Sequence, residues 1–137
     1  MGYAELANIL GIEEPKDEAD IVELTRKGLS VDAAQAIASK LGISVNELSQ
    51  FVHVSPRTLS RHKGGILDTN LSDRLMMVGR VFARAVEVFK TEDRATRWLK
   101  SRILALGNAR PLDLLDTTTG AGMVIAVLGR IEHGVYS

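Results

Sequence analysis

The chain has no cysteine among its 137 residues, only three prolines, a single tryptophan, aromatic residues at 4% and no surplus of either charge. Each shortage excludes something. Without thiols there is no disulfide framework, no thiolate metal site and no cysteine nucleophile. No apolar run approaches the ~18 residues of a membrane span, and the start lacks a basic stretch followed by an apolar one, so a cytoplasmic chain with no membrane contact is expected. Apolar residues make up 45% of the sequence. With so few aromatics, Ala, Leu, Ile and Val carry that volume, which suits packed helices more than sheets. A net charge of zero argues on its face against nucleic acid, because phosphate contacts need clustered Lys and Arg. The distribution changes that reading. Residues 1–43 carry four basic and eight acidic side chains, residues 44–65 three and one, and residues 66–137 ten and eight. The basic excess on 44–65 marks the segment that could meet phosphates, and it is small enough that binding would need a dimer.

What is present is a series of short helices divided by glycine and proline. Residues 3–10 form the first, stopped by Gly11, with Pro15 in the linker. Asp17 to Lys27 has acids at its start, Arg26 and Lys27 at its end and Gly28 beyond, which matches the helix dipole and a left-handed cap. Ser30 caps a third helix in which Ala33, Ala34, Ile37, Ala38 and Leu41 recur at helical spacing before Gly42. Ser44 and Glu47 form a capping-box pair ahead of Leu48, Phe51 and Val52. Ser55-Pro56 reads as an N-cap with proline at the first helical position. Gly64-Gly65 is the natural boundary between two halves. Beyond it, Leu75, Val78, Phe82, Val86 and Phe89 define a long helix expected to start near Ser72 or Asp73. Thr91 caps a helix carrying Ala95, Trp98 and Leu99, with Trp98 read as core. Residues 107–111 make a turn and 111–115 a single helical turn. Thr118 or Thr119 then caps a last helix, whose stripe is Val124, Ile125, Val127, Leu128 and Ile131 and whose stop is Gly134. No segment alternates with period two for long enough to read as a strand.

Two overlapping windows can be read as a helix-turn-helix. The first pairs Ile37–Leu41 with Val45–Val52 through Gly42, but its second helix holds Glu47 and no basic side chain. The second turns at His53-Val54 and continues into Pro56-Arg57-Thr58-Leu59-Ser60-Arg61-His62-Lys63. In that window Leu59 faces the core, while Arg57 and Arg61 are placed for base or phosphate contact and Thr58, Ser60 and Lys63 for phosphates. Ser55 adds a donor at the helix start. The chemistry favours the second window, although His53 stands where such turns usually carry glycine. It gives a helix-turn-helix over about residues 44–64.

The C-terminal half supplies the most specific pattern: Trp98-Leu99, then Arg110-Pro111-Leu112-Asp113-Leu114-Leu115, Thr119-Gly120-Ala121-Gly122 and Arg130-Ile131-Glu132-His133-Gly134. Over roughly residues 72–137 this resembles the toxin-binding domain of the Xre/MbcA/ParS antitoxins. The Pro-Arg-Thr-Leu-Ser-Arg stretch likewise resembles the recognition helix of the Xre antitoxins. One departure is Asn108, which stands where the family often has a second glycine; Asn tolerates a left-handed backbone.

The resemblance implies an all-α chain: an N-terminal helix-turn-helix bundle over residues 1–65, then a small helical domain over 66–137 for toxin binding and dimerisation. It implies the antitoxin of a RES–Xre pair, whose partner is a RES-type, NAD-consuming toxin and whose second ligand is operator DNA. Carried onto this sequence, the toxin-facing residues are Arg130, Ile131, Glu132, His133 and Gly134, with the tail Val135, Tyr136 and Ser137 reaching furthest. A homodimer is expected, with its seam on the helix 72–89 or on the last helix. The alternative is a dimeric helix-turn-helix regulator without a toxin partner. No enzyme is expected and no cofactor, metal or catalytic residue is assigned. His53, His62 and His133 lie on separate segments, without metal-ligand spacing. Thr119-Gly120-Ala121-Gly122 follows no strand and lacks the lysine of a phosphate loop. Arg94, Arg97, Lys100 and Arg102 read as a solvated face.

Overall fold

Asp68 opens the longest helix of the chain. Its carboxylate accepts the Leu71 N–H at 2.8 Å, one of the four donors that a helix start leaves without a partner. A computed structural model describes residues 2–60 and 65–134, within which the chain forms eight α-helices and two short 3-10 turns. In order these are α1 (Tyr3–Leu10), α2 (Glu18–Lys27), α3 (Val31–Leu41), α4 (Val45–Phe51), α5 (Pro56–Ser60), α6 (Thr69–Phe89), α7 (Glu92–Leu99) and α8 (Thr118–Glu132). The 3-10 turns, Leu104–Leu106 and Pro111–Leu114, lie between α7 and α8. The expected all-α class holds. Among the described residues, extended pairing is limited to the isolated bridges Ser30–Ile66 and Ile103–Ala109.

α6 is the axis of the fold. Its eleven buried residues spread around more than one face, because α1, α2, α7 and α8 all pack along it. Leu75 and Phe82 are fully buried, each stabilising the fold by roughly 1.5–3 kcal/mol of transfer free energy. Gly79 lets α1 come close. A Cβ there would lie 3.2 Å from the side chains of Leu6 and Leu10, tighter than an ordinary contact.

The helix begins three to four residues earlier than the apolar pattern predicts. Ser72, near which the helix is expected to start, is instead fully buried in its first turns. Its hydroxyl accepts the Leu29 N–H at 2.8 Å and donates to the Leu67 carbonyl at 3.3 Å. The same strap sets the conformation of Gly28, which has φ 96° and ψ 135° and so departs from the expected left-handed cap. The chain must leave α2 at once so that Leu29 O can accept the Leu67 N–H at 2.8 Å. A Cβ on Gly28 would sit 2.3 Å from Leu67 O.

At α8 the cap is Thr117, one or two residues before the threonines that the sequence suggested. Thr117 Oγ1 accepts the Gly120 N–H at 2.9 Å. Trp98 is half-buried, packing on the core edge with its ring 5.4 Å from that of Phe89. α7 ends at Leu99, so Ile103 lies in the following loop.

Candidate functional site

Both windows are helix pairs in the structure, α3 with α4 through Gly42 and α4 with α5 through the turn at His53, and the basic segment lies in the second. α3, α4 and α5 pack on one another. The Ser44 hydroxyl caps α4 by accepting the Glu47 N–H at 3.0 Å. The turn then passes through His53 at φ 58°, the left-handed conformation that glycine usually supplies. Ser55 caps α5, accepting the Thr58 N–H at 3.2 Å with the two hydroxyls 3.0 Å apart. The Ser60 hydroxyl donates to Pro56 O at 3.0 Å. Leu59 is fully buried, while Ser55, Arg57, Thr58 and Ser60 are exposed on the outer side. The hydroxyls of Ser55, Thr58 and Ser60 thus already serve the helix itself, and Arg57 is its exposed cation. Arg61 and Lys63 lie outside the described residues.

Three polar contacts with no local signal in the sequence tie α4 and the turn after it to later parts of the chain. His53 Nε2 lies 2.6 Å from the carbonyl oxygen of Asp116; because a carbonyl only accepts, the imidazole donates from Nε2. Arg74 Nη1 donates to Val52 O at 3.4 Å. Arg110 Nη2 reaches Glu47 at 3.4 Å, while the same guanidinium holds Asp113 through Nε and Nη2 at 2.9 and 2.7 Å. That pairing raises the Arg110 pKa, with Asp113 the larger cause and Glu47 the smaller, and it holds the Asp113 carboxyl below the ordinary carboxylate range. The sequence separations of the His53 and Glu47 contacts, 63 residues each, leave no local signal by which they could be found.

The other candidate surface is the end of α8. Val124, Val127 and Leu128 face the core, and Arg130, Glu132, His133 and Gly134 are exposed. Glu132 is bound to Arg84 of α6 by two hydrogen bonds of 3.0 and 2.6 Å. This contact holds the Glu132 carboxyl below its ordinary value and raises Arg84. Gly134 closes the helix at φ 70°, as expected of a stop. Val135, Tyr136 and Ser137 lie outside the described residues. Along α8 Met123 and Ile125 are 45% and 38% exposed, about 200° apart around the helix. Cβ atoms added at Gly122 and Gly129 would meet nothing within 4 Å.

The loop before α8 is tightly bonded. Ile103 N–H donates to Ala109 O, and Asn108 N–H to Ile103 O, both at 3.0 Å. Asn108 takes φ 66°, so it fills the role of the missing glycine. The basic cluster is not simply solvated: Arg97 pairs with Asp93, Lys100 donates to Gly42 O at 2.9 Å and Arg102 to Asn108 O at 3.2 Å. Among the described residues no group of three or more His, Asp or Glu side chains is gathered to hold a metal, and no helix is long and apolar enough to cross a membrane.

Two family models match, and they meet inside α6. Residues 20–78 match the antitoxin Xre-like helix-turn-helix domain, and residues 84–134 the antitoxin Xre/MbcA/ParS C-terminal toxin-binding domain. The chain is 32% identical over 120 residues to an antitoxin Xre of Yersinia enterocolitica, covering 85% of this chain and 81% of that protein. It belongs to the Xre/MbcA/ParS antitoxin family. An antitoxin Xre of Photorhabdus laumondii is 31% identical, covering 83% and 79%. A Sphingobium protein described as a Prs ADP-ribosylating antitoxin is 20% identical, covering 86% and 81%. The crystal structure of the Mycobacterium tuberculosis MbcT–MbcA toxin–antitoxin complex contains a chain of the same fold, with a TM-score of 0.57 and 23% identity over 78% of this chain and 96% of that one. Like the family, this antitoxin joins a helix-turn-helix to a toxin-binding domain.

Proposed function

We propose that this antitoxin neutralises a RES-type, NAD-consuming toxin by laying the end of α8 and the following tail over the toxin's active site. In the same reading it represses its own operon as a cytoplasmic homodimer. Residues 1–65 read DNA, through Ser55, Arg57, Thr58, Ser60, Arg61 and Lys63. Residues 66–137 bind toxin through Arg130, Glu132, His133, Gly134, Val135, Tyr136 and Ser137, and carry the dimer contact. The observation that carries this reading is the exposed, glycine-closed end of α8 within a matched toxin-binding domain. The Arg84–Glu132 contact supports it further, because it fixes the direction in which the helix end points. In this reading the dimer seam lies on α6 or on α8, where Met123 and Ile125 are exposed apolar side chains.

The test is co-expression with the product of the adjacent reading frame, purification through a tag on one partner, and measurement of growth and cellular NAD with and without residues 130–137. A complex whose toxicity and NAD loss appear only on truncation is the expected result. If the neighbour is harmless and nothing co-purifies, the reading gives way to that of a dimeric regulator without a toxin partner.

A further inference from the structure

Within the described residues α5 spans Pro56–Ser60, where it buries Leu59 and packs on α3 and α4. Its orientation depends on such tertiary contacts, because short helices are marginal in water without them. The turn that leads into it is, however, fixed from outside. His53 sits at φ 58°, a strained position for a residue with a Cβ, and spends its imidazole N–H on Asp116 O at 2.6 Å. Asp116 immediately precedes Thr117, the cap of α8. One residue before His53, Val52 O accepts from Arg74 of α6, and on the other side of α4 Glu47 meets Arg110. A polar cavity of 240 Å³, lined by Asn70, Asp73, Arg74, Met77, Asp116 and Thr118, lies beside this junction, so the 116–118 segment is not packed in place by apolar contacts on that side.

We propose that His53 is the positioning residue of the recognition helix. It clamps the α4–α5 turn to the start of α8, and the angle at which Arg57 is presented to DNA is set by the toxin-binding half of the chain. A left-handed histidine is an improbable choice for the turn alone, since glycine would adopt that backbone at no steric cost. The side chain therefore serves the Asp116 carbonyl. This inference rests on the reading that α5 faces DNA.

The test uses the full chain and a DNA duplex spanning the region upstream of its own reading frame. Affinity, thermal midpoint and amide hydrogen exchange of the 56–60 segment are measured for wild type, His53→Gly and Arg57→Ala. His53→Gly keeps the left-handed backbone and removes only the clamp. The expected result is an affinity loss of about ten-fold, equivalent to about 1.4 kcal/mol, with faster exchange over 56–60 and a thermal midpoint equal to or above that of wild type. A merely structural role for His53 would lower the midpoint together with the affinity, and that outcome overturns the proposal. So does unchanged affinity in His53→Gly when Arg57→Ala has lost binding. If Arg57→Ala binds as wild type does, the DNA-facing reading of α5 fails first and takes the proposal with it. Exchange that rises in His53→Gly without an affinity change separates a loosened turn from a misplaced helix and also overturns it.

Discussion

The short helix α5 and the last helix α8 are stabilised by different means. α8 runs fifteen residues, buries five of them and packs along α6, the helix that also holds α1, α2 and α7. α5 is anchored by Leu59, by its Ser55 cap, and by hydrogen bonds made one turn earlier, at Val52 and His53. Apolar contact fixes a helix by many weak attractions and tolerates small changes at any one of them. Polar tethers fix it by a few directional bonds, each of which matters alone. α6 and the helices packed along it thus form a frame, and α5 is the element suspended beside it.

The contrast can be broken most severely at the frame. Phe82→Ala should cost about 3–5 kcal/mol and unfold both halves in one transition, because α6 carries buried residues for both. Circular dichroism and DNA binding followed along the same denaturant series check this. Two separated transitions would mean that the halves are stable independently. Next in size, Leu59→Ala should remove the single apolar anchor of α5. The side chain's usual cost of about 2–5 kcal/mol falls on the packing of α5 against α3 and α4, so DNA binding should be strongly weakened while partner binding by the C-terminal half survives. Loss of both together would contradict the division into frame and suspended element. Thr117→Ala removes the α8 cap and should lower stability by about 1 kcal/mol. It should also weaken the adjoining Asp116 clamp, so a small drop in DNA affinity should accompany the shift in midpoint.

The smallest effect is acid-dependent. Arg110 holds the folded Asp113 carboxyl below its ordinary value, so this pair adds stability above the unfolded pKa of about 3.9 and loses it as pH falls through the depressed folded value. For so exposed a pair the contribution is about 0.2–1 kcal/mol. Asp113→Asn should therefore be slightly less stable than wild type at pH 6, with the two converging below about pH 4. Urea midpoints across that range check the sign; a difference that grew on acidification would reverse the assignment.

Helix positions were legible in the sequence wherever a cap residue and a stop residue agreed. Gly11, Ser30, Gly42, Ser44 and Thr91 all took the places that local chemistry predicts. The misplacements have specific causes. Thr117, Thr118 and Thr119 are equivalent as caps. What selects Thr117 is Gly120, where a Cβ would come within 2.0 Å of Leu114 O, a fact of packing invisible in the local sequence. Ser72 has the chemistry of a cap but is used to hold a strap between Leu29 and Leu67. The site divides the same way. Arg57 and Leu59 were legible because a short amphipathic helix separates them by face. His53 looked like a flaw in its motif, because its partner lies 63 residues away.

The sharing of α6 bears on how such proteins diversify. The two matched regions meet between residues 78 and 84, in the middle of a helix that packs against α1, α2, α7 and α8. A recombination event that exchanged one toxin specificity for another would have to cross inside this helix and preserve its register, since a single inserted residue rotates everything beyond it by about 100°. Lineages of this architecture are therefore expected to exchange whole chains more readily than halves, so that the DNA address and the toxin address are inherited together.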